Sequence, residues 1–154
     1  VSRAPVLIGL AVLLALPAAA PAAIAPGSGI AGVRLGMTPA RVRAELGTPV
    51  RVSRFKSPFG PGVDYRYRGL RVIFQGFDRV TAVQTTRRAE RTASGVGVGS
   101  TLARVRTRMP RARCERAGAL TVCTLGRALP GHRVTDLVVR RGRVIRVNVG
   151  IVID

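Results

Sequence analysis

The sequence predicts an α+β fold of two tandem units, each a short helix followed by three to four antiparallel strands, joined into one curved sheet with helices on one face. Three observations carry that expectation. GVRLGMTPARVRAEL at 32–46 returns as GVGVGSTLARVRTRM at 95–109, sixty-three positions later, with eight identities in fifteen. Each copy holds a helical pattern too short to be stable without a sheet beneath it. Each is followed by runs in which apolar and polar residues alternate, the period of a half-buried strand.

The chain opens with one cation at Arg3, an apolar run from Val6 to Leu16, and then small residues. This is the layout of a secretory signal peptide, expected over 1–22 with cleavage after Ala22. The apolar run is about eleven residues, short of the roughly 20 that cross a bilayer, and Pro17, Pro21 and Pro26 would interrupt a longer helix. No transmembrane span is therefore expected after removal of the leader, retention of the leader as an anchor being the alternative. Residues 23–31, with PGSGIAG just beyond the cleavage site, read as a flexible lead-in.

The first unit is expected over 32–86. Thr38-Pro39 reads as N-cap and first helical residue, and Gly47 with Pro49 as a stop, giving a helix from Pro39 to Leu46 with Val42 and Leu46 inward. Strands follow at VDYRYR (63–68), LRVIF (70–74) and RVTAVQT (79–85). Residues 87–94 are polar and read as a linker. The second unit, 95–154, repeats the plan: Thr101 caps a helix from Leu102 to Met109, with Val105 and Met109 inward and Pro110 ending it. A hairpin from Ala112 to Leu125 and strands at VTDLVVR (134–140) and VIRVNVGIVI (144–153) complete it.

Cys114 and Cys123 both lie in that hairpin. If Gly118 and Ala119 form a two-residue turn with glycine first, Cys114 falls opposite Cys123 at a non-hydrogen-bonded pair, where side chains are closest. In an exported chain this predicts a disulfide, contributing roughly 2 to 3 kcal/mol by the loop-entropy model. Two reduced core cysteines are the alternative.

The formal net charge is +19, from 26 basic and 7 acidic residues, and Lys56 is the only lysine. Such a field attracts polyanions in a salt-dependent way, although arginine-dominated basicity also fits the codon usage of a GC-rich genome. Catalytic patterns are missing. His132 stands alone in a loop, LPGHR, with no carboxylate or cysteine pattern around it, so neither a metal site nor a triad is expected. GVGVGST (95–101) can offer backbone N–H groups to an anion but lacks the lysine of a P-loop, and reads as a turn. The acids Glu45, Asp64, Asp78, Glu90, Glu115, Asp136 and Asp154 are scattered, without a defensible carboxylate pair. No cofactor, metal or catalytic residue is predicted.

The arginines remain. Strand alternation places Arg66, Arg68, Arg71, Arg140 and Arg146 on the sheet face opposite the helix-covered one, with Ile73 and Val138 among them. A basic open face of this kind can grip an acidic protein or a phosphate-bearing polymer. Tyr65 and Tyr67 point toward the core, so a base-stacking platform is not indicated.

GVRLGMTPARVRAELGTP (32–49), VDYRYR (63–68) and VIFQGFDRVTAV (72–83), echoed by GVGVGSTLARVRTRMP (95–110) and VRRGRVIRV (139–147), resemble the fold shared by β-lactamase inhibitory protein and the small lipoproteins of the outer-membrane assembly machinery. The resemblance implies a tandem duplication whose saddle-shaped sheet grips a protein partner, with helices behind. No cysteine follows the leader, so lipid attachment is not implied, and the family's common acid after the helix cap is replaced by Arg41 and Arg104.

The expected function is therefore that of an exported, non-catalytic binding module, secreted or in the cell envelope. It would hold an exported or envelope protein, as an inhibitor or scaffold, on its Arg-rich sheet face. The alternative is salt-sensitive binding of envelope polyanions: anionic lipid headgroups, wall polymer or extracellular DNA. A small enzyme with an unrecognised site is the weaker alternative.

Overall fold

Residues 23–76 and 78–153 are described by a computed structural model; the expected signal peptide at 1–22 lies outside them. The chain begins with three two-residue strands, β1 (Ile24–Ala25), β2 (Gly29–Ile30) and β3 (Val33–Arg34), which form a small antiparallel sheet. The expectation of a flexible lead-in at 23–31 is thereby corrected. Ile24 and Ile30 are buried in the core, and Gly29 is needed for proximity: a Cβ there would strike the Val33 carbonyl on the neighbouring strand.

Helix α1 (Pro39–Leu46) follows, then β4 (Arg51–Ser57), β5 (Gly60–Tyr67), β6 (Leu70–Gln75) and β7 (Ala82–Thr85). Helix α2 (Leu102–Arg108) precedes β8 (Arg113–Ala117), β9 (Leu120–Leu125), β10 (Arg133–Arg140) and β11 (Arg143–Ile151). Both caps form as expected: Thr38 Oγ1 accepts the Arg41 N–H at 3.4 Å and Thr101 Oγ1 accepts the Arg104 N–H at 3.1 Å. Val42 and Val105 are fully buried. The Thr81 to Gln84 stretch pairs as expected, but Val80 bonds instead to Gly36 and Met37 in the first loop. The connection at 87–94 is itself packed, since Ile24 N–H donates to the Arg91 carbonyl at 3.0 Å and Glu90 is buried.

The eight longer strands form one antiparallel sheet in the order β4-β5-β6-β7-β11-β10-β9-β8. The expected α+β class is overturned here. Strand accounts for 48% of the structure and helix for 12%, so the chain is mainly β, an eight-stranded sheet with a second, three-stranded one, and not two helix-plus-strand units with helices on one face. The physical reason is one of size. A helix of eight residues is about 12 Å long, whereas eight strands span about 34 Å. Each helix fully buries one valine, and β2 of the small sheet lies across β7 and β11 at the centre of the large one. The core lies on that side, where Val72, Phe74, Val83, Val147, Leu137 and Cys123 are all fully buried.

The hairpin β8–β9 turns at Gly118, with φ 60°, and sets Cys114 opposite Cys123. The two are joined in a disulfide with Cα atoms 3.9 Å apart.

Candidate functional site

The side of the large sheet away from the core is crossed by one continuous line of polar residues. Arg51 pairs with Arg66, Arg66 with Arg71, and Arg71 with Gln84. Gln84 then pairs with Asn148, Asn148 with Asp136, Asp136 with Thr124, and Thr124 with Arg113. Directly opposed residues point to the same face, so this line presents one polar side chain from every strand over about 34 Å. Beside it run Ile73, Ala82 and Gly150, half-buried, in one direction, and in the other Val122, half-buried, and Val138, buried although it is on this face.

Near the β5–β6 end the charges gather. Asp64 is 1% exposed, and its Oδ2 lies 3.0 Å from Arg66 Nε and 2.8 Å from Arg71 Nε. The Arg66 contact is a hydrogen bond; the Arg71 contact is off hydrogen-bond geometry and is an ion contact. Arg66, Arg71, Gln84, Thr86 and Arg146 line a shallow depression of about 310 Å³ there. Two guanidinium groups, those of Arg66 and Arg71, thus stand against one buried carboxylate, and Arg146 adds a third positive charge to the lining of the depression. Two acceptors on this face, Asp64 Oδ1 and Asn148 Oδ1, are buried without a hydrogen-bond partner. An unsatisfied buried polar atom costs about 1 to 3 kcal/mol, which a donor arriving from a bound partner would recover.

Of the five arginines expected on this face, Arg66, Arg71 and Arg146 come together. Arg68 sits in the turn after β5, where its carbonyl accepts from Arg87 Nε at 2.6 Å, and it does not line the depression. Arg140 ends β10 opposite Arg143 and also lies outside it. The residues of this line that sequence reasoning missed are Arg51, Gln84, Asn148, Asp136, Thr124 and Arg113, with Asp64 beside it. A polar residue at an alternate strand position was the available signal, but only register places them in one line.

His132 is exposed in the loop before β10, and among the described residues no three of His, Cys, Asp and Glu stand together as a metal would need. Among the described residues no helix is long and apolar enough to cross a membrane. Tyr67, beside the depression, has its phenol pKa raised above the usual value, first by burial and then by Tyr65, with Arg43 opposing. Its hydroxyl donates to the Gly47 carbonyl at 3.2 Å.

No family model and no curated protein matches the chain. Among solved structures it is similar to an extracellular protein containing an SCP domain from Bacillus anthracis str. Ames, with a TM-score of 0.54 and 9% identity over 75% of this chain. The chain spans 43% of that protein's length, and at this identity the likeness is one of fold alone.

Proposed function

We propose that this chain is an exported, non-catalytic binding module that holds a partner protein against the open face of its large sheet. The observation that carries the reading is the polar line through all eight strands, ending in the arginine cluster around Asp64. A flat array of donors, acceptors and small aliphatic groups suits a protein surface better than a small substrate, which needs an enclosing pocket. Export is supported by the Cys114–Cys123 disulfide, by the leader-like opening, and by the extracellular character of the similar solved structure.

The test is a pull-down from envelope extract with the oxidised protein, washed in steps up to about 0.5 M salt, where screening acts within a few ångströms. One protein retained through the last wash, and lost with Arg146→Glu or Asn148→Ala, is the expected result. The net charge of +19 favours a second reading, binding of an anionic lipid, wall polymer or nucleic acid. Loss of every ligand as salt rises, in proportion to total charge, would replace the first reading with the second.

A further inference from the structure

The two copies of the repeated segment share a backbone and differ in chemistry. In both, an arginine reaches the carbonyl of the glycine two residues before the capping threonine: Arg79 Nη1 lies 3.3 Å from Gly36 O, and Arg143 Nη1 lies 3.1 Å from Gly99 O. In the first copy the Arg34 N–H points at the Met37 sulfur, 3.3 Å away, and the Glu45 carboxylate lies so close to Gly32 that a Cβ there would strike it. In the second copy Ser100 stands in place of Met37 and Arg108 in place of Glu45. The Gly97 N–H now donates to Ser100 Oγ at 3.1 Å. The group against Gly95 is the Arg104 guanidinium, 3.0 Å from where a Cβ would stand, and Arg88 packs on Gly99 in the same way at 3.2 Å.

Arg91, Arg104 and Arg143 therefore line an open basin of about 540 Å³ along the segment Gly95 to Thr101, with Arg88 packed on Gly99 outside that lining. Among the described residues no carboxylate lies within 4.0 Å of any of the four; Glu90, the nearest acid in sequence, is turned to Arg87 at 3.2 Å. Ser100, 5% exposed, supplies a second and independent sign. Its hydroxyl oxygen accepts from Arg91 Nη1 at 3.0 Å and from the Gly97 N–H at 3.1 Å, so both lone pairs are engaged. Its own proton has no acceptor among the described residues, and Ser100 lines the basin.

A buried hydroxyl proton without an acceptor, on a basin lined by three guanidinium groups, calls for an oxyanion. We propose that this basin binds a phosphate group, with Ser100 donating its O–H and Arg91, Arg104 and Arg143 supplying charge-assisted hydrogen bonds. One carboxylate is saturated by one bidentate arginine, whereas a phosphate presents three or more oxygens and accepts from several guanidinium groups at once. The basin shares no lining residue with the depression on the sheet face, so the two sites stand or fall separately.

The experiment is calorimetric titration of the oxidised protein with inorganic phosphate, against chloride at equal ionic strength. Saturable binding of phosphate that chloride does not reproduce is expected. Arg108→Glu gives the second copy the acid of the first, four residues beyond Arg104, and should weaken binding at least about tenfold, while Arg106→Glu, the same charge change on an exposed helix position, should weaken it less than about twofold. Arg104→Gln should match the larger effect. Equal weakening by Arg106→Glu and Arg108→Glu would reduce the binding to net charge and overturn the site, as would absence of phosphate binding. Phosphatidylglycerol vesicles that compete with phosphate would assign a lipid phosphodiester as the source; phosphate binding undisturbed by vesicles would assign a soluble phosphate.

Discussion

In 32–46 a thioether lies under the Arg34 N–H and the Glu45 carboxylate against Gly32; in 95–109 a hydroxyl lies under the Gly97 N–H and the guanidinium of Arg104, at the position matching Arg41, against Gly95. The backbone is nevertheless the same, with glycines at positive φ (Gly36 at 86°, Gly99 at 91°), a threonine cap and one fully buried valine in each. Some positions hold the segment in shape and others are open to new chemistry. Steric demand at the glycine and burial at the valine fix the former. Exposed residues, Glu45 and Arg108 among them, differ in charge between the copies while the turn keeps its shape.

The same contrast extends to the two outer hairpins. The β8–β9 pair is closed covalently, while the β4–β5 tip is held by the Gln75 amide, which donates to the Gly60 carbonyl at 2.8 Å. The largest effect is therefore expected in the second half: replacing Cys114 and Cys123 by serine, with a loop of sequence separation 9, should lower stability by about 2.7 kcal/mol in urea unfolding. A loss near zero would mean that the two hairpins are equally secure without the crosslink.

Val42→Ala and Val105→Ala test whether the two copies are equivalent as scaffold. Both valines are fully buried, so each substitution should cost about 2 kcal/mol by denaturant unfolding. Costs that differ by more than about 1 kcal/mol would break the equivalence, because a well-packed site and a collapsible one respond differently. The caps sharpen it further. Thr101→Ala should cost about 1 kcal/mol, and Thr38→Ala less, since the Thr38 bond is the longer at 3.4 Å against 3.1 Å.

The smallest effect belongs to pH and to the first half alone, where both tyrosines lie. The Tyr67 phenol has a folded-state pKa raised above 10.0, first by burial. As pH rises through about 10 the unfolded chain loses this proton first, so the unfolded state binds fewer protons and stability falls. Thermal unfolding midpoints should decline above that pH, and Tyr67→Phe should reduce the decline. An unchanged slope in the variant would assign the alkaline loss elsewhere.

Signals confined to a few neighbouring residues were legible in the sequence. Thr38 and Thr101 cap because a side-chain oxygen meets an N–H three residues on; Val42 and Val105 face inward by helical spacing; and Gly118 as first turn residue fixes Cys114 opposite Cys123. Strand β4 was not legible, since RVSRFKS is an edge strand exposed for most of its length and lacks a buried alternation. Nor was the small sheet, where PGSGIAG reads as flexible although Gly29 is there for the close passage of Val33.

The caps, the two helices, the disulfide register and the strongly basic character of the chain each follow from local spacing or composition. The mainly-β class, the polar line through eight strands and the meeting of Arg91, Arg104 and Arg143 beside Ser100 arise only when the chain is folded. Those depend on seven strand registers taken together and on contacts between segments distant in sequence. A one-residue slip in any register would turn a polar residue from the open face into the core, and nothing local in the chain records that sum.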